Sequence, residues 1–372
     1  MKFTVDKALL GEAAVAAANA TPARPSVPVL AGARVEARNG QVILSGYDYE
    51  TSTETCIEAT VAEPGTALVS ARLLAGISKA LPNKPVEVSL SGAHLELVCG
   101  SARFTLPTMP VEDYPTLPEM PDAVGTISGP LLAEAVNQVA IAASRDEALP
   151  MMTGVRIEIG GGKLAMLATD RYRLALREIE WKPDDPEKTL NLLVPAKFLA
   201  SAAKSFAGDV TIAHSGRGAG EGVFGLWSGS RRMTSRLLDG ENSPPVRSLF
   251  PKQDQITSTA VVETDALVAV VKRVSLVAEK STPVVLTFTP GGTLLVEAGG
   301  TEDARAYEET SVKFQGDQSF TIAFNPQYLT DGLSTIGAAA RFSLVDPTKA
   351  AVIDGVGDDA HRYLLMPIRT QR

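Results

Sequence analysis

Two stretches decide the fold: GARVEARNGQVILSGYD (residues 32–48) and GVRIEIGGGKLAMLATD (residues 154–170). Laid on one another without a gap, they match Gly32 with Gly154, Arg34 with Arg156, Glu36 with Glu158, Gly40 with Gly162 and Asp48 with Asp170, all at the offset 154 − 32 = 122. In both, apolar residues alternate with polar ones on either side of Asn-Gly or Gly-Gly. That pattern predicts a β-hairpin, because these turn residues reach the positive φ that a tight connection demands. A third stretch, PVVLTFTPGGTLLVEAGG (283–300), keeps the alternation, glycine turn and second alternation more loosely.

Working outward, an amphipathic helix is expected before each hairpin. Apolar residues recur every three to four positions at Val5, Leu9, Leu10, Ala13 and Ala14, then at Ile127, Leu131, Leu132, Ala135, Val136 and Val139, and again at Leu267, Val270, Val271, Val274 and Val277. A second helix is expected after each hairpin, in VSARLLAGISKALP (69–82), VPAKFLASAAKSF (194–206) and FNPQYLTDGLSTIG (324–337), where a short apolar strand gives way at a small or polar residue to an amphipathic run. Further alternating strands close each copy. Proline-rich connectors, LPTMPVEDYPTLPEMP and ENSPPVRSLFPKQDQ, separate the copies, since proline lacks a ladder donor and ends regular structure. The expectation is an α+β protein of three tandem domains, residues 1–123, 124–251 and 252–372, each with two helices packed on antiparallel sheet.

Bulk properties exclude several classes. With 372 residues the chain exceeds a single ordinary core, and 45% hydrophobic and 21% charged residues are a folded, water-soluble balance. A formal net charge of −8 gives no global sign of a nucleic-acid binder, so contact with DNA would have to be local. Cys56 and Cys99 are too few for a disulfide framework and point to a reducing cytoplasm. The opening MKFTVDKALLGEAAVAAANATPARP is broken by Asp6, Lys7 and Glu12, unlike a secretion signal, and no apolar run suggests a membrane span.

No catalytic constellation emerges. His94, His214 and His361 fall in three different copies without metal-ligand spacing and read as ordinary surface or strand histidines. The glycine-rich GRGAGEG (216–222) lacks the Lys-Ser/Thr of a phosphate loop and lies between strands, as a mobile hairpin loop would. Met151 and Met152 fit either core filling or an adaptable apolar surface. ATDRYRLAL (168–176) reads at face value as an exposed strand end with solvated charges, and YLLMPIR (363–369) as an apolar segment near a terminus, where chains fray unless something covers them.

Four landmarks in order, MKFTV at the start, RPSVPVL (24–30), ATDRYRLA (168–175) and the late YLLMPIR, resemble the bacterial DNA sliding clamp family, the β subunits of the replicative DNA polymerase III. The resemblance spans the whole chain. It implies a non-enzymatic processivity factor with no cofactor and no metal: a head-to-tail homodimer, first domain against third, closing a ring around double-stranded DNA. Two helices per copy, three copies and two chains would supply the twelve helices that line the hole. A ring held by topology needs only weak, mobile phosphate contacts, which reconciles DNA binding with an acidic chain. The implied partners are the clamp loader, replicative and translesion polymerases and repair proteins carrying a short clamp-binding peptide, in a cytoplasmic, nucleoid-associated setting without a membrane.

From the same resemblance, DNA-facing roles pass to Arg24, Arg72, Arg145, Arg173 and Lys197. A hydrophobic partner-peptide pocket between second and third domains is expected to involve Met152, Thr169, Arg171, Tyr172, Arg173, Leu174, Pro244 and Leu249. The third domain would add Asn325, Tyr328, Thr348, Leu364, Leu365, Met366, Pro367, Ile368 and Arg369. Apolar side chains of an extended peptide would anchor there while a few polar groups fix its direction. Against enterobacterial members the loop ENSPPVR is one residue longer, Ser248 stands in place of arginine, Ser281 replaces an aromatic, and the chain runs on to RTQR. The competing readings are an enzyme with catalytic groups scattered between domains and a triplicated interaction scaffold that does not act on DNA. A closed dimer with Arg and Lys facing its hole separates the clamp from both.

Overall fold

The computed structural model describes all residues except 23, 219–220, 241–245, 278–281, 300–303 and 370–372. The first third runs β1 (Lys2–Val5), α1 (Lys7–Asn19), β2 (Gly32–Arg38), β3 (Gln41–Tyr47), β4 (Thr51–Glu63), β5 (Gly65–Ser70), α2 (Ala71–Ala80), β6 (Val86–Ser91), β7 (His94–Cys99) and β8 (Ala102–Met109). The second runs β9 (Ala123–Ser128), α3 (Gly129–Ala140), β10 (Gly154–Gly160), β11 (Lys163–Thr169), β12 (Arg173–Glu180), the short β13 (Lys182–Pro183), β14 (Leu190–Pro195), α4 (Ala196–Ala203), β15 (Asp209–Gly218), β16 (Glu221–Ser228) and β17 (Arg231–Arg236). The third repeats the order with β18 (Ser258–Glu263), α5 (Thr264–Val274), β19 (Val284–Phe288), β20 (Thr293–Gly299), β21 (Arg305–Ser311), the short β22 (Lys313–Gln315), β23 (Phe320–Phe324), α6 (Pro326–Leu333), β24 (Ala339–Leu344), β25 (Ala351–Gly355) and β26 (Asp358–Leu365).

Each expected helix forms, and the start of all but α4 has a local cause. The side chains of Asp6, Ser70, Ser128, Glu263 and Asn325 accept backbone N–H groups at the first turns of α1, α2, α3, α5 and α6, so the small or polar residue at each strand end is a cap. The three hairpin turns carry Gly40, Gly162 and Gly292 at φ of 75°, 75° and 84°, where a side chain would clash with the backbone.

Strand pairing repeats with the sequence. The first strand of each third pairs with the strand after the second helix, β1 with β6, β9 with β15 and β18 with β24. Four strands of each third form a second ladder, in the orders β5-β2-β3-β4, β14-β10-β11-β12 and β23-β19-β20-β21. The thirds are then joined edge to edge. β17 lies antiparallel to β4 (Arg231 opposite Thr55, Ser235 opposite Thr51), and β26 lies antiparallel to β12 (Leu365 opposite Arg173, His361 opposite Arg177). The last strand of one copy thus completes the fourth-strand edge of the copy before it.

Contacts accordingly gather the described chain into two compact units that divide the middle copy. One comprises Met1–Leu132, Lys182–Asp185 and Ser201–Leu237, the other Ala133–Trp181, Pro186–Ala200 and Leu238–Arg372. In the first, Phe3, Val5 and Leu10 pack with Leu44, Leu74 and Leu97. The second buries Phe288, Phe324, Phe342 and Tyr363 almost completely. Each such side chain contributes about 1.5–3 kcal/mol by leaving water.

Candidate functional site

The segment Thr169–Arg173, at the head of β12, is held by its own side chains. The Thr169 hydroxyl donates to the Arg173 carbonyl at 2.7 Å and accepts the Arg171 N–H at 3.2 Å. One oxygen of the Asp170 carboxylate accepts the N–H groups of Tyr172 and Arg173, both at 3.0 Å. This tight turn places Arg171 at φ 80°, left-handed backbone that disfavours a side chain by about 1–2 kcal/mol.

Arg173 corrects two expectations. It is only 7% exposed, so it is not a solvated strand-end charge, and it does not sit where a phosphate can reach it. Its guanidinium pairs with Asp170 at 2.9 Å and Asp331 at 2.7 Å and lies 4.3 Å above the Tyr328 ring. Burial pulls its pKa down, but the hydrogen bond to Asp331 and the Asp170 carboxylate beside it leave it raised. Burial raises the Tyr363 phenol as well, so it stays neutral and donates to the Tyr328 carbonyl at 2.8 Å. These contacts tie the head of β12 to α6.

The segment 366–368 is likewise anchored. Beyond β26, the Met366 N–H donates to the Tyr172 carbonyl at 2.9 Å and the Ile368 N–H to the Ala323 carbonyl at 2.8 Å, so this segment is covered and does not fray. Alternation along the strand turns Leu364 and Met366 to one side and Leu365 to the other, where it is 0% exposed.

The side that Leu364 faces is a cavity of about 280 Å³, lined by Met152, Thr169, Arg171, Arg173, Leu174, Val246, Leu249, Ala350, Leu364 and Met366. A smaller one, about 30 Å³, shares Met152, Thr169 and Val246 and adds Met151, Arg156 and Leu167 among its walls. Its floor belongs to an apolar cluster of Ala165, Leu167, Leu174, Leu176, Val246, Val352 and Leu364. Arg247 holds the turn bearing Val246 and Leu249, pairing with Glu158 at 2.7 Å and Glu178 at 2.8 Å, and its hydrogen bond keeps Glu178 below the usual carboxylate range. Met151 and Met152 are half-buried cavity walls, which decides between core and surface in favour of the surface.

Eight expected pocket residues line the larger cavity, and the rest are placed otherwise. Leu365 is core. Asn325 caps α6, Tyr328 lies under Arg173, and the Thr348 hydroxyl donates to Asp346 in a turn. Tyr172 is 54% exposed with its ring 6.2 Å from that of Tyr328. Pro367, Ile368 and Arg369 lie beyond the lining, while Pro244 and Ser281 fall outside the described residues. Val246 and Ala350 were missed. The signal for Val246 lay in the alternation of Ala165 with Leu167 and of Leu174 with Leu176, which marks one apolar face in need of cover.

Arg24, Arg72 and Arg145 are exposed and have no ion pair among the described residues. Lys197, with 81% of its side chain exposed, pairs with an equally open Glu147 at 2.6 Å, a contact that water and salt weaken. Arg72 and Lys197 occupy the same position, the second residue of α2 and of α4. His94, His214 and His361 all lie on strands, and no cluster able to hold a metal occurs among the described residues. Both cysteines are free thiols. Gly218 faces Glu221 across the β15–β16 hairpin, whose tip at 219–220 lies outside the described residues. No helix among them is long and apolar enough to cross a membrane.

Three family models match in succession: the DNA polymerase III beta subunit N-terminal domain over residues 1–118, its central domain over 126–243 and its C-terminal domain over 247–369. The beta sliding clamp of Streptomyces coelicolor is 50% identical over 99% of both chains, and that of Bacillus subtilis 29% identical over the full length of both. The crystal structure of the Bacillus subtilis clamp superposes with a TM-score of 0.90 at 28% identity, covering both chains entirely. A Pseudomonas aeruginosa sliding clamp bound to griselimycin does so with the same TM-score at 27% identity, again over both whole chains. Matched in all three thirds and along its full length, the chain belongs to the beta sliding clamp family, the beta subunits of DNA polymerase III.

Proposed function

We propose that this processivity factor works as a head-to-tail homodimeric ring around double-stranded DNA, with functional domains 1–123, 124–251 and 252–372. One observation carries the reading. The last strand of the second and third copies completes the fourth-strand edge of the copy before it, through β17 on β4 and β26 on β12. Two members of that series are left over. Residues 102–107 of β8 have β7 on one side and no strand on the other, and β21 has only β20, among the described residues. Pairing β8 of one subunit with β21 of another continues the repeated rule, and doing so twice closes a dimer with no open end. Tyr307 on β21 and Leu276 after α5, 76% and 83% exposed, give such a seam apolar surface to bury.

Inside the ring Arg24, Arg72, Arg145 and Lys197 would touch phosphates without base preference, and their exposure leaves them free to exchange partners as the DNA moves. Enclosure supplies the grip, so a chain of net charge −8 needs no strongly basic face. The cavity under Leu364 and Met366 would take the short apolar peptide of the clamp loader, replicative and translesion polymerases and repair proteins, which therefore compete for one site. The test is retention on DNA after loading. The protein should measure as a dimer, stay on nicked circular DNA through gel filtration and run off the same DNA once linearised. Equal loss from both forms, or a monomer at working concentration, overturns the ring and returns the chain to a triplicated scaffold.

A further inference from the structure

We infer that the pocket selects apolar peptides flanked by carboxylates, and that Arg171 and Arg156 are the residues that impose this choice. The inference rests on the peptide-pocket reading above and adds to it the charge of the partner. Acidic residues outnumber basic ones by 43 to 35 in the chain, yet among the described residues the walls of these two cavities, which share Met152, Thr169 and Val246, contain three arginines and no Asp or Glu. One of the three, Arg173, is neutralised by Asp170 and Asp331. Arg156, half-buried, and Arg171, exposed, have no ion pair among the described residues, so the cleft presents two guanidinium groups without a paired carboxylate beside an apolar floor.

Arg171 is also held where a side chain is least welcome. At φ 80° glycine would be at ease, and the Thr169 and Asp170 hydrogen bonds instead keep an exposed arginine there, on the wall of the larger cavity. Local strain maintained at a cavity wall marks a side chain with a task. A guanidinium offers a planar fork that matches a carboxylate in two parallel hydrogen bonds, and an apolar floor close by lowers the competition from water. An uncharged peptide gains the floor only. A basic one meets repulsion from both arginines.

The test pans a phage-displayed random heptapeptide library on the full-length protein. Wild-type binders should be enriched in Asp and Glu next to their apolar anchors. Changing each such Asp to Asn in a synthetic copy of the best binder should weaken it about two- to fivefold by fluorescence anisotropy, with a smaller difference at high salt. R171Q and R156Q should bind the Asp and Asn forms alike, and Arg171→Gly, which relieves the φ strain, should behave as R171Q does. Binders without acidic enrichment, or an Asp preference that survives in R156Q/R171Q, overturn the inference while leaving the pocket in place. Leu249→Asp separates the two readings: recovered peptides that bind it undiminished, or a library that yields no binder at all, overturn the pocket itself.

Discussion

Replacing Arg173 by alanine removes the one cation shared by Asp170, Asp331 and the Tyr328 ring. Arg173 is 7% exposed, and the side chains of Asp170 and Asp331 are 10% and 19% exposed. The variant therefore strands two carboxylates in a site with little water. Breaking a buried pair from one side costs about 3–5 kcal/mol. Asp331, the more open of the two, can regain some hydration, which places the loss at the lower end, about 3 kcal/mol, or roughly a hundredfold in the local opening equilibrium. The loss is local, because the pairs bind the head of β12 to α6, beside the Tyr172 carbonyl that accepts the Met366 N–H. Hydrogen exchange is thus a better probe than global melting, which need not be two-state in a chain of two units. Amides of 172–174, 329–333 and 366 should exchange about a hundredfold faster in R173A, whereas those of β1 and β6 should not change. Adding Asp331→Asn should restore part of the protection, since it removes a stranded charge, with a coupling of about 1 kcal/mol or more. Protection in R173A within threefold of wild type, or strict additivity in the double variant, would refute the argument that this network holds the pocket wall.

Leu249→Asp, at a side chain 58% exposed, should cut binding of an apolar partner peptide more than tenfold by fluorescence anisotropy and leave the melting temperature within a degree or two. Arg72→Gln and Lys197→Gln should each weaken binding to linear DNA modestly, without base preference. Each should also lower the slope of log affinity against log salt by about 0.9, and an unchanged slope would remove that residue from the DNA face. Burial holds the His361 imidazole below its ordinary pKa, with Nδ1 3.2 Å from the Leu176 carbonyl and Nε2 2.9 Å from the Thr335 hydroxyl. A depressed histidine means that the unfolded chain takes the proton first, so its contribution is complete above the unfolded value of about 6.5 and is lost as pH falls through it. Thermal melts from neutral pH down to about 5.5 should fall more steeply for wild type than for His361→Gln.

Much of this was legible because the decisive signals are local. Alternation around Asn39-Gly40 and Gly161-Gly162 defines hairpins wherever it occurs, and the offset between GARVEARNG and GVRIEIGGG announced a repeated unit. Helix starts at Asp6, Ser70 and Asn325 were equally local, set by a cap and the first turn. What stayed hidden depends on partners far along the chain. Nothing near Arg173 in sequence foretells Asp331, 158 residues on, so an arginine between a tyrosine and a leucine reads as a surface charge until the fold buries it. Nor do alternating patterns say which strand edge meets which. The register of β17 on β4 and of β26 on β12 is a property of assembled copies, and the division of the middle copy between two compact units follows from it.

That shared backbone seam has a practical consequence for dissection. Cutting the chain at 123 would leave β17 with a bare row of N–H and C=O groups where β4 had been, and cutting at 252 would do the same to β12. Naked edges of that kind recruit whatever strand is nearest. Fragments made to isolate one repeat would therefore stick to themselves or to each other, and the smallest well-behaved piece of this molecule is the whole subunit.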